Sequence, residues 1–129
     1  MKKKIANWGN YPDVEAEIYQ NKLSQEIYDS VKKCPSIIAR GNGRCYGDSS
    51  LNKNIFSTLS LNKVINFDEQ TGVFKCETGM LLSDILAVIV PKGFFLAVTP
   101  GTKFITIGGA IAADVHGKNH HLQRCSPLV

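Results

Sequence analysis

The chain has 129 residues, 43% of them hydrophobic and 20% charged, with eleven glycines and five prolines. That length and balance suit one compact domain with room for two lobes, and exclude a disordered, collagenous or low-complexity chain. The formal net charge is +4, and three of the positive charges, Lys2, Lys3 and Lys4, read as a solvated tail; the nearly neutral remainder implies no nucleic-acid surface.

Cys34, Cys45, Cys76 and Cys125 lie far apart with no C-x-x-C pair, so no disulfide framework is expected. The segment after the lysines, Ile5 to Asn10, is too short and polar for a signal peptide. The apolar run from Met80 to Val98 is interrupted by Asp84, Pro91, Lys92 and Gly93, so no transmembrane segment is expected. The expected setting is cytoplasmic, with peripheral attachment to a membrane as its variant.

In chain order, Trp8-Gly9 reads as a packing anchor for an N-terminal strand. Residues 24–33, SQEIYDSVKK, place Ile27 and Val31 four apart beside Tyr28. With Ser24 as N-cap and Pro35 as stop, they predict a short amphipathic helix. SIIAR (36–40) predicts a brief strand leading into the glycine-rich GNGRCYG (41–47), and DSSLNKNIF (48–56) reads as polar turn. Over 57–78, STLSL, KVINF and VFKCE predict antiparallel strands, with Asp68 and Gly72 making the turn in DEQTG. LLSDILAVIV (81–90) predicts a helix with Ser83 early and Pro91 and Gly93 closing it. FFLAV (94–98) predicts a buried strand, and TIGGAIAADVHG (106–117) a small-residue helix. The irregular alternation favours α+β over a doubly wound sheet.

The run Arg40-Gly41-Asn42-Gly43-Arg44-Cys45-Tyr46-Gly47 follows a strand, where loops that cradle phosphate commonly sit. Glycine lets backbone N–H groups approach an anion closely, and Arg40 and Arg44 add charge-assisted hydrogen bonds to a diphosphate. An ordinary surface turn is the competing reading. The spacing G-x-G-x-x-x-G is not the Rossmann fingerprint, residues 48–56 offer no helix to hold a pyrophosphate, and no G-K-[ST] follows.

A second cluster joins Pro100-Gly101-Thr102 to Thr106-Ile107-Gly108-Gly109. Gly108 and Gly109 at a helix start are expected to leave N–H groups facing outward, with Thr106 as cap, while Ala110, Ala112 and Ala113 keep the helix slim enough for a flat ligand. The competing reading is a helix packed tightly on a sheet. Two such clusters together predict a ligand of dinucleotide size. His116 and His120 stand in H-x-x-x-H, but Gly117 and Asn119 break the helix between them, and neither they nor His121 has a partner at familiar ligand spacing, so no metal is expected.

ARGNGRCYGDSSLN (39–52) together with VTPGTKFITIGGAIAADVHGKNHH (98–121) resembles the FAD-binding domain of the vanillyl-alcohol-oxidase superfamily, of the p-cresol-methylhydroxylase type. Within it the likeness is greatest to FAD-linked decaprenylphosphoryl-ribose 2-oxidases and their sugar-oxidase relatives, and it runs from about Trp8 to the C-terminus. The resemblance implies a two-lobed α+β domain, incomplete at its C-terminus: lobe one over about 1–55, the start of lobe two over about 56–129, and no substrate domain. The chain is then expected to be the N-terminal piece of a longer enzyme, inactive alone.

The resemblance also implies cofactor contacts. Ala39, Arg40, Gly41, Asn42, Gly43, Arg44, Cys45, Tyr46, Gly47, Asp48 and Ser49 would wrap the FAD pyrophosphate. Pro100, Gly101, Thr106, Ile107, Gly108 and Gly109 would line the cofactor from the other side, and Ala113, Asp114, Val115 and His116 would lie beside the flavin ring. Many relatives carry a histidine bonded to the flavin where Arg44 stands here, so dissociable FAD is implied. The implied reaction is oxidation of a CH–OH group of a sugar or polyol, lipid-linked ones included, with no catalytic base assigned. A sugar-1,4-lactone or alditol oxidase is the alternative, and a non-catalytic anion-binding module a further one. Bulk at Gly43 or Gly109 is expected to weaken FAD binding with the fold left mostly intact, and His120 is expected to be indifferent.

Overall fold

Lysines 2–4 are not a tail. They belong to strand β1 (Lys2–Ala6), which pairs antiparallel with β2 (Asp13–Tyr19). The register sets Lys2 opposite Glu17 and Lys4 opposite Glu15, and Lys4 Nζ also lies 3.2 Å from Asp13. Opposite charges across the pair favour that register, and lysines on an edge strand discourage a further strand from adding.

The computed structural model describes residues 1–117, and the chain divides after Leu61 into two units. The first is built on a four-stranded sheet in the order β1-β2-β4-β3, with β3 at Ile38–Arg40 and β4 at Asn54–Ser57. Both β2 and β3 run parallel to β4. Strand β4 falls where a polar turn was expected, and STLSL, expected as a strand, is a 3-10 turn at Thr58–Ser60. The central strand is covered on both faces: Ile55, Phe56 and Ser57 are buried in succession, so the alternation that marks a half-exposed strand is missing.

Helix α1 (Ser24–Lys33) has the predicted bounds but not the predicted inner face. Val31 and Tyr28 are exposed, while Ser30 is buried and bonds the Glu26 carbonyl at 2.8 Å. Leu23 holds the N-cap position and no side chain caps the helix, so Ser24 is its first residue and not its cap.

The second unit begins with the hairpin β5 (Val64–Phe67) and β6 (Phe74–Cys76), antiparallel as expected. Asp68 Oδ1 accepts from the N–H groups of Gln70 (2.9 Å) and Thr71 (3.3 Å), and Gly72 takes φ +75°. The Thr71 hydroxyl, then those two amides, hold the Asp68 carboxyl below its ordinary value. Helix α2 (Leu82–Ile89) buries Leu82, Ile85 and Ile89, one face at helical spacing, against Met80 and Ile107. Phe67 packs beside them, 5.5 Å from Phe74 and edge-on to Phe94 at 5.3 Å. Gly93 at φ +83° follows the closing turn Val90–Lys92.

FFLAV is not a buried strand. Its side chains alternate between half-buried and exposed, with Phe95 69% exposed, but the segment joins neither sheet, and Phe94 N–H bonds Ile89 O at 3.1 Å instead. Helix α3 spans only Ile107–Ala112. It stops because Asp114 turns left-handed (φ 47°), with Asp114 N–H bonding Ile111 O and Val115 N–H bonding Ala110 O. That paired closure is a common way for a helix to end, with glycine the more frequent residue at the left-handed position. Mixed helix and strand in both units make the fold α+β.

Candidate functional site

The first glycine loop, residues 41–49, leaves β3 and is held from beneath by the end of β1. Asn7 is 3% exposed and ties three groups together. Its Nδ2 donates to Gly47 O (2.9 Å), and its Oδ1 accepts from Ser50 Oγ (2.9 Å) and from Arg40 Nη1. Arg40 also donates to Ser50 Oγ (3.0 Å) and Ala6 O (2.8 Å), and Trp8 N–H donates to Cys45 O (3.2 Å). Burial pulls the Arg40 guanidinium below its ordinary value, Cys45 opposes that shift and Arg44 adds to it; an arginine remains charged throughout.

Arg40 therefore spends its donors inside the unit, as a strut under the loop. Its charge remains available to an anion only through space. Gly43 sits directly on that strut: at φ +62°, a Cβ there would lie 2.0 Å from Arg40 Nη2. Arg44, by contrast, is exposed, bonding Asn42 O at 3.2 Å with its guanidinium 5.6 Å from the centre of the Trp8 ring. Trp8 is 60% exposed, so it is a partner of the loop rather than a packing anchor.

Among the described residues, the backbone N–H groups of Gly43, Arg44, Cys45, Tyr46, Gly47 and Asp48 meet no acceptor. Gly47 (φ +57°) has open space where a Cβ would stand. A run of unpaired amides beside two arginines is the donor set a diphosphate needs.

The second cluster behaves differently. The four first-turn amides of α3 are satisfied internally: Ile107 N–H by Met80 O (2.8 Å), Gly108 by Thr78 O (2.8 Å), Gly109 by Thr106 Oγ1 (3.1 Å) and Ala110 by Thr106 O (2.9 Å). The expected outward-facing N–H groups are thus absent, because the Thr78–Met80 turn supplies carbonyls to Ile107 and Gly108 while Thr106 takes the amides of Gly109 and Ala110. Thr106 is 2% exposed and caps the helix as predicted. Thr106→Val keeps its shape but strands the Gly109 amide; a loss of about 1 kcal/mol in urea-unfolding stability is expected. Pro100 is half-buried, and Gly101 is exposed with open space around its Cα. Ala113, Asp114 and His116 lie exposed on the turn after α3, with Val115 half-buried and His116 Nδ1 2.9 Å from Asp114 O. His120 and His121 lie outside the described residues. Among those described, no three His, Cys, Asp or Glu side chains gather as a metal site would require.

Asn7 and Ser50 were not legible as site residues. Asn7 reaches Arg40 across 33 positions, and no motif spacing marks such a contact.

Residues 22–125 match the family model described as FAD binding domain. The chain is 32% identical over 126 residues to decaprenylphosphoryl-beta-D-ribose oxidase of Mycolicibacterium smegmatis, covering 92% of this chain and 27% of that protein. It is 29% identical over 104 residues to mitochondrial D-2-hydroxyglutarate dehydrogenase of Arabidopsis thaliana, covering 74% of this chain and 19% of that protein. Among solved structures, cholesterol oxidase from Brevibacterium sterolicum superposes with a TM-score of 0.74 at 18% identity, over 91% of this chain and 24% of that one. Alkyldihydroxyacetonephosphate synthase does so with a TM-score of 0.67 at 20% identity, over 83% and 22%. The chain belongs to the FAD-binding-domain family of FAD-linked oxidoreductases, and its cofactor is FAD. It spans about a quarter of the length of the first of these relatives.

Proposed function

We propose that this chain is the FAD-binding portion of an oxidoreductase that oxidises a CH–OH group of a sugar or polyol, with FAD held non-covalently. The observation that carries the cofactor half is the braced loop: amides from Gly43 to Asp48 that meet no acceptor among the described residues, supported by Asn7 and Arg40. The substrate half rests on likeness along 92% of the chain to an oxidase of a decaprenylphosphoryl sugar. In this reading residues 39–49 serve the diphosphate within lobe one. Residues 100–109 and 113–116 serve the cofactor from lobe two through side chains and shape, since the α3 amides are taken. When bound, FAD supplies the hydride acceptor; the chain's residues bind and orient it.

The setting is cytoplasmic, or at a membrane surface if the substrate is lipid-linked. No described helix is long and apolar enough to cross a membrane. A second reading is favoured by the likeness to the hydroxyglutarate dehydrogenase and, at 32% over 63 residues, to D-lactate dehydrogenase of Anaerostipes hadrus: the oxidised group would belong to a 2-hydroxy acid.

Anaerobic bleaching of the flavin in the whole protein separates them. Sugars or polyols should bleach it and D-2-hydroxy acids should not; the reverse outcome overturns the sugar reading. With Arg44 in place of a flavin-bonded histidine, acid denaturation should release all the flavin into the supernatant. Flavin fluorescence retained by the denatured polypeptide would contradict non-covalent binding.

A further inference from the structure

Three consecutive residues at the end of β1 act on the glycine loop or on the arginine beneath it, each by a different group. Ala6 O takes Arg40 Nη2, the Asn7 side chain donates to Gly47 O, and Trp8 N–H donates to Cys45 O. In a trans peptide the C=O and the following N–H point in opposite directions, and the loop's peptides are trans. A carbonyl held down by the brace therefore turns the next residue's amide away from it. With Cys45 O held by Trp8, the Tyr46 amide faces outward; with Gly47 O held by Asn7, so does the Asp48 amide. Tyr46 and Asp48 are both exposed. The carbonyl between them, Tyr46 O, accepts instead from Ser49 Oγ at 3.0 Å, outside the brace.

We propose that Asn7 is a positioning residue for the cofactor: by fixing the Gly47 carbonyl it aims the Asp48 amide at the bound diphosphate, while the Trp8 backbone independently aims the Tyr46 amide. The inference rests on the reading of this loop as the FAD diphosphate site. It adds a residue outside the glycine motif and assigns each of two donors its own support.

The test is an amide proton–nitrogen spectrum of the 15N-labelled chain titrated with FAD. In the wild type the Tyr46 and Asp48 amide protons should both move downfield at saturation. Asn7→Asp keeps an acceptor for Arg40 and Ser50 but loses the donor to Gly47 O. It should raise the FAD dissociation constant about tenfold, as expected for one lost hydrogen bond to an ion. It should also abolish the Asp48 shift while retaining that of Tyr46. Asn7→Ala should do the same if it folds; if it does not, Asn7→Asp carries the test. A general charge or folding effect would weaken both amide responses together. If wild type binds FAD but Asn7→Asp leaves the Asp48 shift and the affinity unchanged, or silences both amides equally, the positioning role is overturned and the FAD reading survives. If the folded wild type binds no FAD, that reading falls and the inference with it.

Discussion

Gly43→Val is expected to lower both stability and FAD affinity, because its side chain would occupy the place of the Arg40 guanidinium. An added Cβ would stand 2.0 Å from Nη2 and 2.6 Å from Cζ. The tip of a free arginine would swing aside; this one is pinned by Ala6, Asn7 and Ser50. Displacing it breaks hydrogen bonds to a charged group, and the φ of +62° adds strain for a β-branched residue. A stability loss of roughly 2–4 kcal/mol follows, with FAD affinity reduced at least about tenfold. The sequence-based expectation of a mostly intact fold is thereby revised. Urea unfolding of Gly43→Ala alone and in an Arg40→Ala background isolates the cause. With the guanidinium gone, Gly43→Ala should cost only the positive-φ strain, about 1 kcal/mol. An equal cost in both backgrounds would mean that Arg40 is not the obstacle.

Gly108→Val is expected to destabilise the second unit by about 1–3 kcal/mol. Its Cβ would stand 3.0 Å from both Thr78 Cβ and Thr78 O, and its own N–H already bonds that carbonyl at 2.8 Å. A backbone neighbour has no rotamer with which to yield, so α3 must shift off the Thr78–Met80 turn. Among the described residues, a Cβ on Gly109 would meet only the Thr106 hydroxyl oxygen, at 3.0 Å. Gly109→Ala is expected to be near neutral, since the gain of alanine over glycine in a helix, about 0.5–1 kcal/mol, offsets crowding of the cap. Thermal melts of the two alanine variants should therefore separate clearly, Gly108→Ala being the lower. Equal melting temperatures would show that the Thr78 contact is loose. Sequence reasoning singles out Gly109; geometry moves the crowding to its neighbour.

What the sequence made legible is local. Helix α2 is read from the apolar run LLSDILAVIV closed by Pro91 and Gly93, and the β5–β6 hairpin from Asp68 and Gly72 between two apolar runs. Both are set by contacts a few residues apart. Strand β4 is not, because its burial comes from β2 and β3 on either side and from cover on both faces, which leaves Asn54–Ser57 with no periodicity. The same holds at the site. The glycine loop is visible as a motif, but the buried amide that supports it lies in β1's exit, and only the β1–β2–β4–β3 order brings the two together. The α3 start shows the opposite failure: glycines beside a helix suggest open amides, whereas a turn thirty residues earlier in the chain has taken that of Gly108 and the Thr106 cap that of Gly109.

The most direct test is a titration of the folded chain with FAD, followed by flavin fluorescence and checked by equilibrium dialysis. Saturable one-to-one binding is predicted, weakened at least about tenfold by Gly43→Val under conditions where that variant is still folded. A folded wild-type chain that binds no FAD, or a folded Gly43→Val chain that binds it as well as wild type, would contradict the assignment of the braced loop as the cofactor site.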